Sequence, residues 1–105
     1  MLRVNSENYN VYGFEGEGGY LRFDDVPPTY GEIVLKVKGK ETVEKRSLVF
    51  GDTSFAFVVT DDDVDKIGVG SFPYYITTID ENGNKNTLIP DLSTGLKPTF
   101  NIEAQ

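Results

Sequence analysis

Asp61, Asp63 and Asp65 stand at alternate positions, the spacing at which carboxylates open a calcium-binding loop. The match then stops. Lys66 occupies the place of the required glycine and Phe72 that of the bidentate glutamate. Asp80, Asn82 and Asn84 repeat the partial pattern, again with a misplaced glycine. A helix cap and a hairpin turn account for both clusters. No metal site is therefore expected, and Asp61, Asp63 and Asp65 are the calcium candidates that the sequence offers.

Other chemistry is scarcer still. The chain has no histidine and no cysteine. The commonest general base is missing, as are any Ser-His-Asp triad, thiolate metal sites, thiol catalysis and disulfides. The serines have no Ser-x-x-Lys arrangement. The Asp24-Asp25 pair could serve acid–base work on a glycosidic bond, but such sites need a deep cleft that a small β domain has little room for. The glycine-rich run from Gly13 to Gly19 ends without Lys-Ser/Thr, precedes no helix pattern and carries two glutamates, so it reads as a hairpin loop, not a phosphate loop. A non-enzyme without cofactor is the expectation.

What remains is recognition by surface. Tyr9, Tyr12, Tyr20, Tyr30, Tyr74 and Tyr75 supply amphipathic area suited to interfaces or to stacking on a sugar. Most fit ordinary strand residues with a wet hydroxyl. Lys36, Lys38, Lys40, Lys45 and Arg46 make a basic patch on an acidic chain. A solvated hairpin that discourages edge pairing explains the patch; the sharper alternative is docking of an acidic partner or a neighbouring subunit. Lys36, Lys38, Lys40, Tyr12, Tyr20 and Tyr75 are the candidate interaction residues.

The elements that must position these residues are strands. Asn82-Gly83 lies between the run Phe72–Ile79 and a shorter run ending in Leu88 and Ile89, a pairing that predicts a hairpin with a type I′ turn. Ile33, Leu35 and Val37 alternate with Val34, Lys36 and Lys38, as in a half-buried antiparallel strand. Gly39-Lys40 turns this strand into a run from Thr42 to Phe50. Thr53 to Thr60 is apolar on both faces and predicts the most buried strand. Thr60 followed by aspartates and closed by Gly68 predicts one short helical turn over Asp61–Ile67. Leu21 and Phe23 mark an earlier strand, ended by Pro27-Pro28, and Phe100 and Ile102 mark the last. Residues 1–8 form either a short strand, an arm ordered by a partner, or a frayed end.

The 105 residues, 38% hydrophobic with seven Phe and six Tyr, suit one folded domain over 1–105. A net charge of −7 argues against a nucleic-acid backbone and against an anionic membrane surface as partner. No apolar run approaches membrane-spanning length, and the first ten residues lack the apolar core of a signal peptide. Synthesis in a cytoplasm without export is the default.

From Thr60 onward the chain resembles small immunoglobulin-like domains of tailed-phage virion proteins, as at the N-terminus of the baseplate upper protein family. The resemblance rests on Phe55 and Phe57, the acidic turn Thr60–Ile67, then Gly70, Phe72, Tyr74, Ile76, Asp80, Gly83 and Leu88. It departs at Tyr75, usually acidic there, and at Thr78, usually leucine. It implies a subunit joined to other virion subunits or to itself in a tail, baseplate or head, and hence virion-associated. Together these readings predict an all-β, immunoglobulin-like antiparallel sandwich of about seven to nine strands. Its core should hold Leu21, Phe23, Ile33, Leu35, Val37, Leu48, Phe50, Phe55, Phe57, Val59, Tyr74 and Ile76. The alternative function is a ligand-binding module, for a glycan or a cell surface, using exposed tyrosines and the Asp-rich loops.

Overall fold

The computed structural model describes residues 2–23, 32–50, 54–79, 82–90 and 95–105, with the side chains of residues 48–50 and 54 outside that description. Expectations that fall on Asp24-Asp25, Pro27-Pro28, Tyr30, Thr53 and Asp80, or on the Leu48 and Phe50 side chains, lie outside the described residues.

The chain is an all-β sandwich with one short helix. Its strands are β1 (Arg3–Val4), β2 (Val11–Phe14), β3 (Gly19–Phe23), β4 (Glu32–Lys38), β5 (Thr42–Arg46), β6 (Leu48–Phe50), β7 (Ser54–Val59), β8 (Gly70–Ile79), β9 (Lys85–Ile89) and β10 (Thr99–Glu103), with α1 (Asp61–Ile67) between β7 and β8. One sheet has the order β1-β2-β10-β8-β4-β5, with β9 also on β8; the other is β3-β7-β6. Lettered in immunoglobulin fashion, β3-β7-β6 are strands B, E and D, and β10-β8-β4-β5 are G, F, C and C′. Among the described residues ten strands stand where about seven to nine are expected. The excess comes from the two-residue β1 and from the split of strand G into β9 and β10, which pair with successive halves of β8.

Alternation decides which residues meet between the sheets. Phe23, Phe55 and Phe57 enter from the small sheet, and Tyr74 and Phe100 from the large one, all essentially without exposure. Phe23 stacks on Phe55 at 5.4 Å between centroids, and Tyr74 meets Phe100 edge-on at 6.1 Å. Edge-to-face and offset contacts of this kind add to the area the rings bury. Every expected core residue whose side chain is described is buried, joined by Leu2, Val11, Val43, Val64, Ile67, Ile89, Phe100 and Ile102.

Four local expectations need correction. The Gly13–Gly19 run is not a hairpin loop, because β2 and β3 belong to different sheets and the run carries the chain across the sandwich. Gly18 is needed there: a Cβ would fall 2.2 Å from the Val59 carbonyl oxygen. The run Thr42–Phe50 is two strands, since the chain leaves the large sheet at Ser47, whose N–H donates to the Ile33 carbonyl at 2.9 Å. The β8–β9 hairpin exists, but Ile79 pairs with Lys85 and leaves a five-residue connection. Gly83 has φ 82°, whereas Tyr9 is the one non-glycine with positive φ among the described residues, so Asn82-Gly83 is not a type I′ turn. Finally, the pairing is not wholly antiparallel, because β10 runs parallel to β2.

Candidate functional site

The outer face of the large sheet carries four of the six candidate interaction residues, Tyr12, Lys36, Lys38 and Tyr75. Register places Tyr12 opposite Arg3 and Asn101, Asn101 opposite Ser71, Tyr75 opposite Lys36, and Lys36 opposite Glu44. Because opposed residues in a ladder share a face, these side chains form two rows on that face, Arg3-Tyr12-Asn101-Ser71 and Tyr75-Lys36-Glu44, set about 13 Å apart along the strands by the step from Ser71 to Tyr75 on β8. Tyr12 is 45% exposed and Phe14, two residues along the same strand, 46%. Tyr20 is 66% exposed but belongs to β3, on the outer face of the other sheet beside Val58. The structure does not bring Tyr20 together with Tyr12 and Tyr75.

The basic patch is largely engaged within the molecule. Lys36 Nζ lies 3.7 Å from Glu44 Oε1, Arg46 is bonded to Glu32, and Lys45 Nζ is 2.7 Å from Asp63 Oδ2. The two exposed pairs contribute little, as surface pairs do. Lys40 sits over the end of α1, its N–H donating to the Ile67 carbonyl at 2.9 Å, where a cation is favoured by the helix dipole. Lys38 is the exception. Its ammonium lies 5.3 Å from the Tyr75 ring centroid, a cation–π distance, with no carboxylate partner among the described residues.

Tyr75 borders a cleft of about 380 Å³ between β8 and residues 95–99. Pro73, Pro90, Leu96 and Pro98 give it apolar walls, Lys97 adds a positive charge, and no carboxylate is among its lining residues within the described part of the chain. A volume of this order suits a small apolar group with a few polar contacts. At the opposite end of β10, Arg3, Tyr12, Phe14 and Glu103 surround a shallower hollow of about 360 Å³. Sequence reasoning missed Phe14, although the alternation of Val11 and Gly13 inward with Tyr12 and Phe14 outward would have found it. Nothing local marked Lys97 or the three prolines, because the cleft forms only where Pro90 and residues 95–99 come beside Pro73 and Tyr75 of β8.

The three calcium candidates lie on α1, not on a loop. Asp61 Oδ1 accepts from the Gly18 N–H at 2.7 Å, and Asp63 Oδ2 accepts from the Thr60 N–H at 2.9 Å. Asp65 is exposed. Among the described residues no group of three or more carboxylates is placed to hold a metal ion. Asp63 is instead structural. Burial alone would raise its pKa, but the Lys45 ammonium and the Thr60 amide and hydroxyl outweigh it and hold the carboxyl below the usual range.

Among the described residues no helix is long and apolar enough to cross a membrane. No family model, curated protein or solved structure matches the chain.

Proposed function

We propose that the chain is a non-enzymatic structural subunit of a tailed-phage particle, in the tail, baseplate or head, working through protein–protein contacts. The observation that carries this reading is the outer face of the large sheet, where Tyr12 and Phe14 stand exposed side by side on β2. Aromatic residues in a flat, strand-built face, rimmed by charges such as Arg3 and Glu103, have the composition of a contact surface. The resemblance carried by Phe55, Phe57, Phe72, Tyr74 and Ile76 supports the virion setting. The lack of histidine and cysteine supports a role without catalysis.

Quantitative mass spectrometry of particles purified by density from the source culture tests the proposal. A subunit is present at a constant copy number per particle through successive purification steps. A chain that stays in the soluble fraction, or washes away in proportion to handling, is not one.

A further inference from the structure

The outer face of the large sheet carries a knob and a socket at opposite ends of one strand. The knob is Phe14, 46% exposed and paired in register with Glu103, with exposed Glu15 following it. The socket is the cleft beside Tyr75, whose apolar walls can take a benzyl group and whose nearby charges are Lys97 and Lys38. Neither lysine, and neither Glu15 nor Glu103, forms a side-chain ion pair among the described residues. Arg3 and Glu17 also border Phe14, so the knob is net negative against the two lysines of the socket.

Phe14 cannot fill the socket of its own molecule. It lies opposite Glu103, whereas the socket residue Pro73 lies opposite Thr99. Four residues of strand separate these points, about 13 Å, beyond the reach of a phenylalanine side chain. Both features face the same way, however. A two-fold axis running in the plane of contact across the middle of β10 superposes one copy's knob on the other copy's socket, twice over. Such an isologous contact closes at two copies.

We propose that the cleft beside Tyr75 receives Phe14 of a second copy of the chain, so that two copies pack outer face to outer face across an axis near Asn101. This rests on the reading of the chain as an assembly subunit and names the first contact that subunit makes. Asn101 suits the axis, because its side chain is already satisfied by the Val11 carbonyl at 3.0 Å and the Ser71 hydroxyl at 2.6 Å. It therefore has no unmet bond to lose on burial. Six strands about 4.8 Å apart and about five residues long present roughly 500 Å² per partner. About 1,000 Å² in total is the lower bound for a specific interface, which puts this contact at the small end of that class. At physiological salt, repulsion between two chains of net charge −7 is damped beyond about 8 Å, leaving the local pairs to decide.

Sedimentation equilibrium of the full chain from micromolar to millimolar concentration tests this. The mass should rise to twice 11.7 kDa and stop there. Phe14→Asp, on an exposed side chain that folding does not need, should weaken the dimer at least about tenfold by removing the knob. Lys38→Glu with Lys97→Glu should weaken it comparably. Adding Glu15→Lys and Glu103→Lys to that variant should restore it to within about threefold, since the charges are then exchanged. Asp65→Lys, an equal charge change on α1, should leave it unaltered. A chain that remains monomeric at millimolar concentration overturns the inference, even if its Tyr75 signals respond to an added glycan. So does a dimer indifferent to these changes, or association beyond two. Any of these results leaves the particle measurement above free to succeed or fail by itself.

Discussion

Tyr74 buries its phenol between the sheets, and its hydroxyl donates to the Tyr9 carbonyl. That carbonyl belongs to a tight turn in which the Tyr9 N–H donates to the Asn5 carbonyl at 2.7 Å and Tyr9 has φ 59°. A non-glycine residue there costs about 1 kcal/mol, offset by the bonds around it. Burial, with Tyr9 nearby, pushes the Tyr74 pKa well above the phenol range. Below about pH 10 the folded and unfolded chains both keep the proton and this contribution is whole. Above it the unfolded chain releases the proton while the folded one holds it, so stability falls as pH rises. Tyr74→Phe should cost about 1 kcal/mol at pH 8 by urea denaturation, and should flatten the decline between pH 9 and 11. An unchanged decline would place its origin elsewhere. The burial of Tyr74 was legible in its alternation with Ile76. The partner of its hydroxyl was not legible, because it lies 65 residues away.

At the scale of an element, α1 shows how a short helix is held. Thr60 caps it through the reciprocal bonds of a capping box, Thr60 Oγ1 accepting from the Asp63 N–H at 3.1 Å while the Asp63 carboxylate accepts from the Thr60 N–H. Seven residues would not stay helical alone. Val64 and Ile67 are buried, and Lys45 reaches from β5 to Asp63. Asp63→Asn removes the negative charge and leaves the partly buried Lys45 without its partner, so a loss of about 2 kcal/mol is expected at pH 7. Because the folded pKa is lowered, the stabilisation is present above about pH 4 and is lost as pH falls through the folded value. Variant and parent should therefore converge near pH 2 in acid titrations followed by circular dichroism, and a gap that persists there would argue against the charge. The helix and its cap were legible from Thr60, the aspartates and Gly68. The clasp to Lys45 was not, since nothing local to Asp63 or Lys45 marks that α1 packs beside β5.

The whole molecule is closed by its two ends. β10 pairs with β2 on one side and β8 on the other, and it buries Phe100 and Ile102. Losing two such side chains removes about 4–10 kcal/mol, comparable with the entire stability of a domain this size. A chain truncated after Pro98 should show no cooperative thermal transition by near-ultraviolet circular dichroism. A truncated chain that melts normally would mean that the larger sheet stands without its closing strand. Pairings this far apart in sequence also predict refolding on the millisecond-to-second scale typical of β sandwiches, readable by stopped-flow fluorescence.

The sequence alone determined the strands, their buried faces, the short helix and the absence of histidine and thiol chemistry, because alternation, capping and composition act over a few residues. It did not determine that β5 and β6 part at Ser47, that β2 and β3 face each other across the core, or that β9 and β10 share one neighbour. Those depend on which strands find each other, and a strand carries no local mark of its partner. The same reason hides the contact surface. Tyr12 and Tyr20 look alike in sequence, and only the division into two sheets sets Tyr12 beside Phe14 and sends Tyr20 to the other side of the molecule.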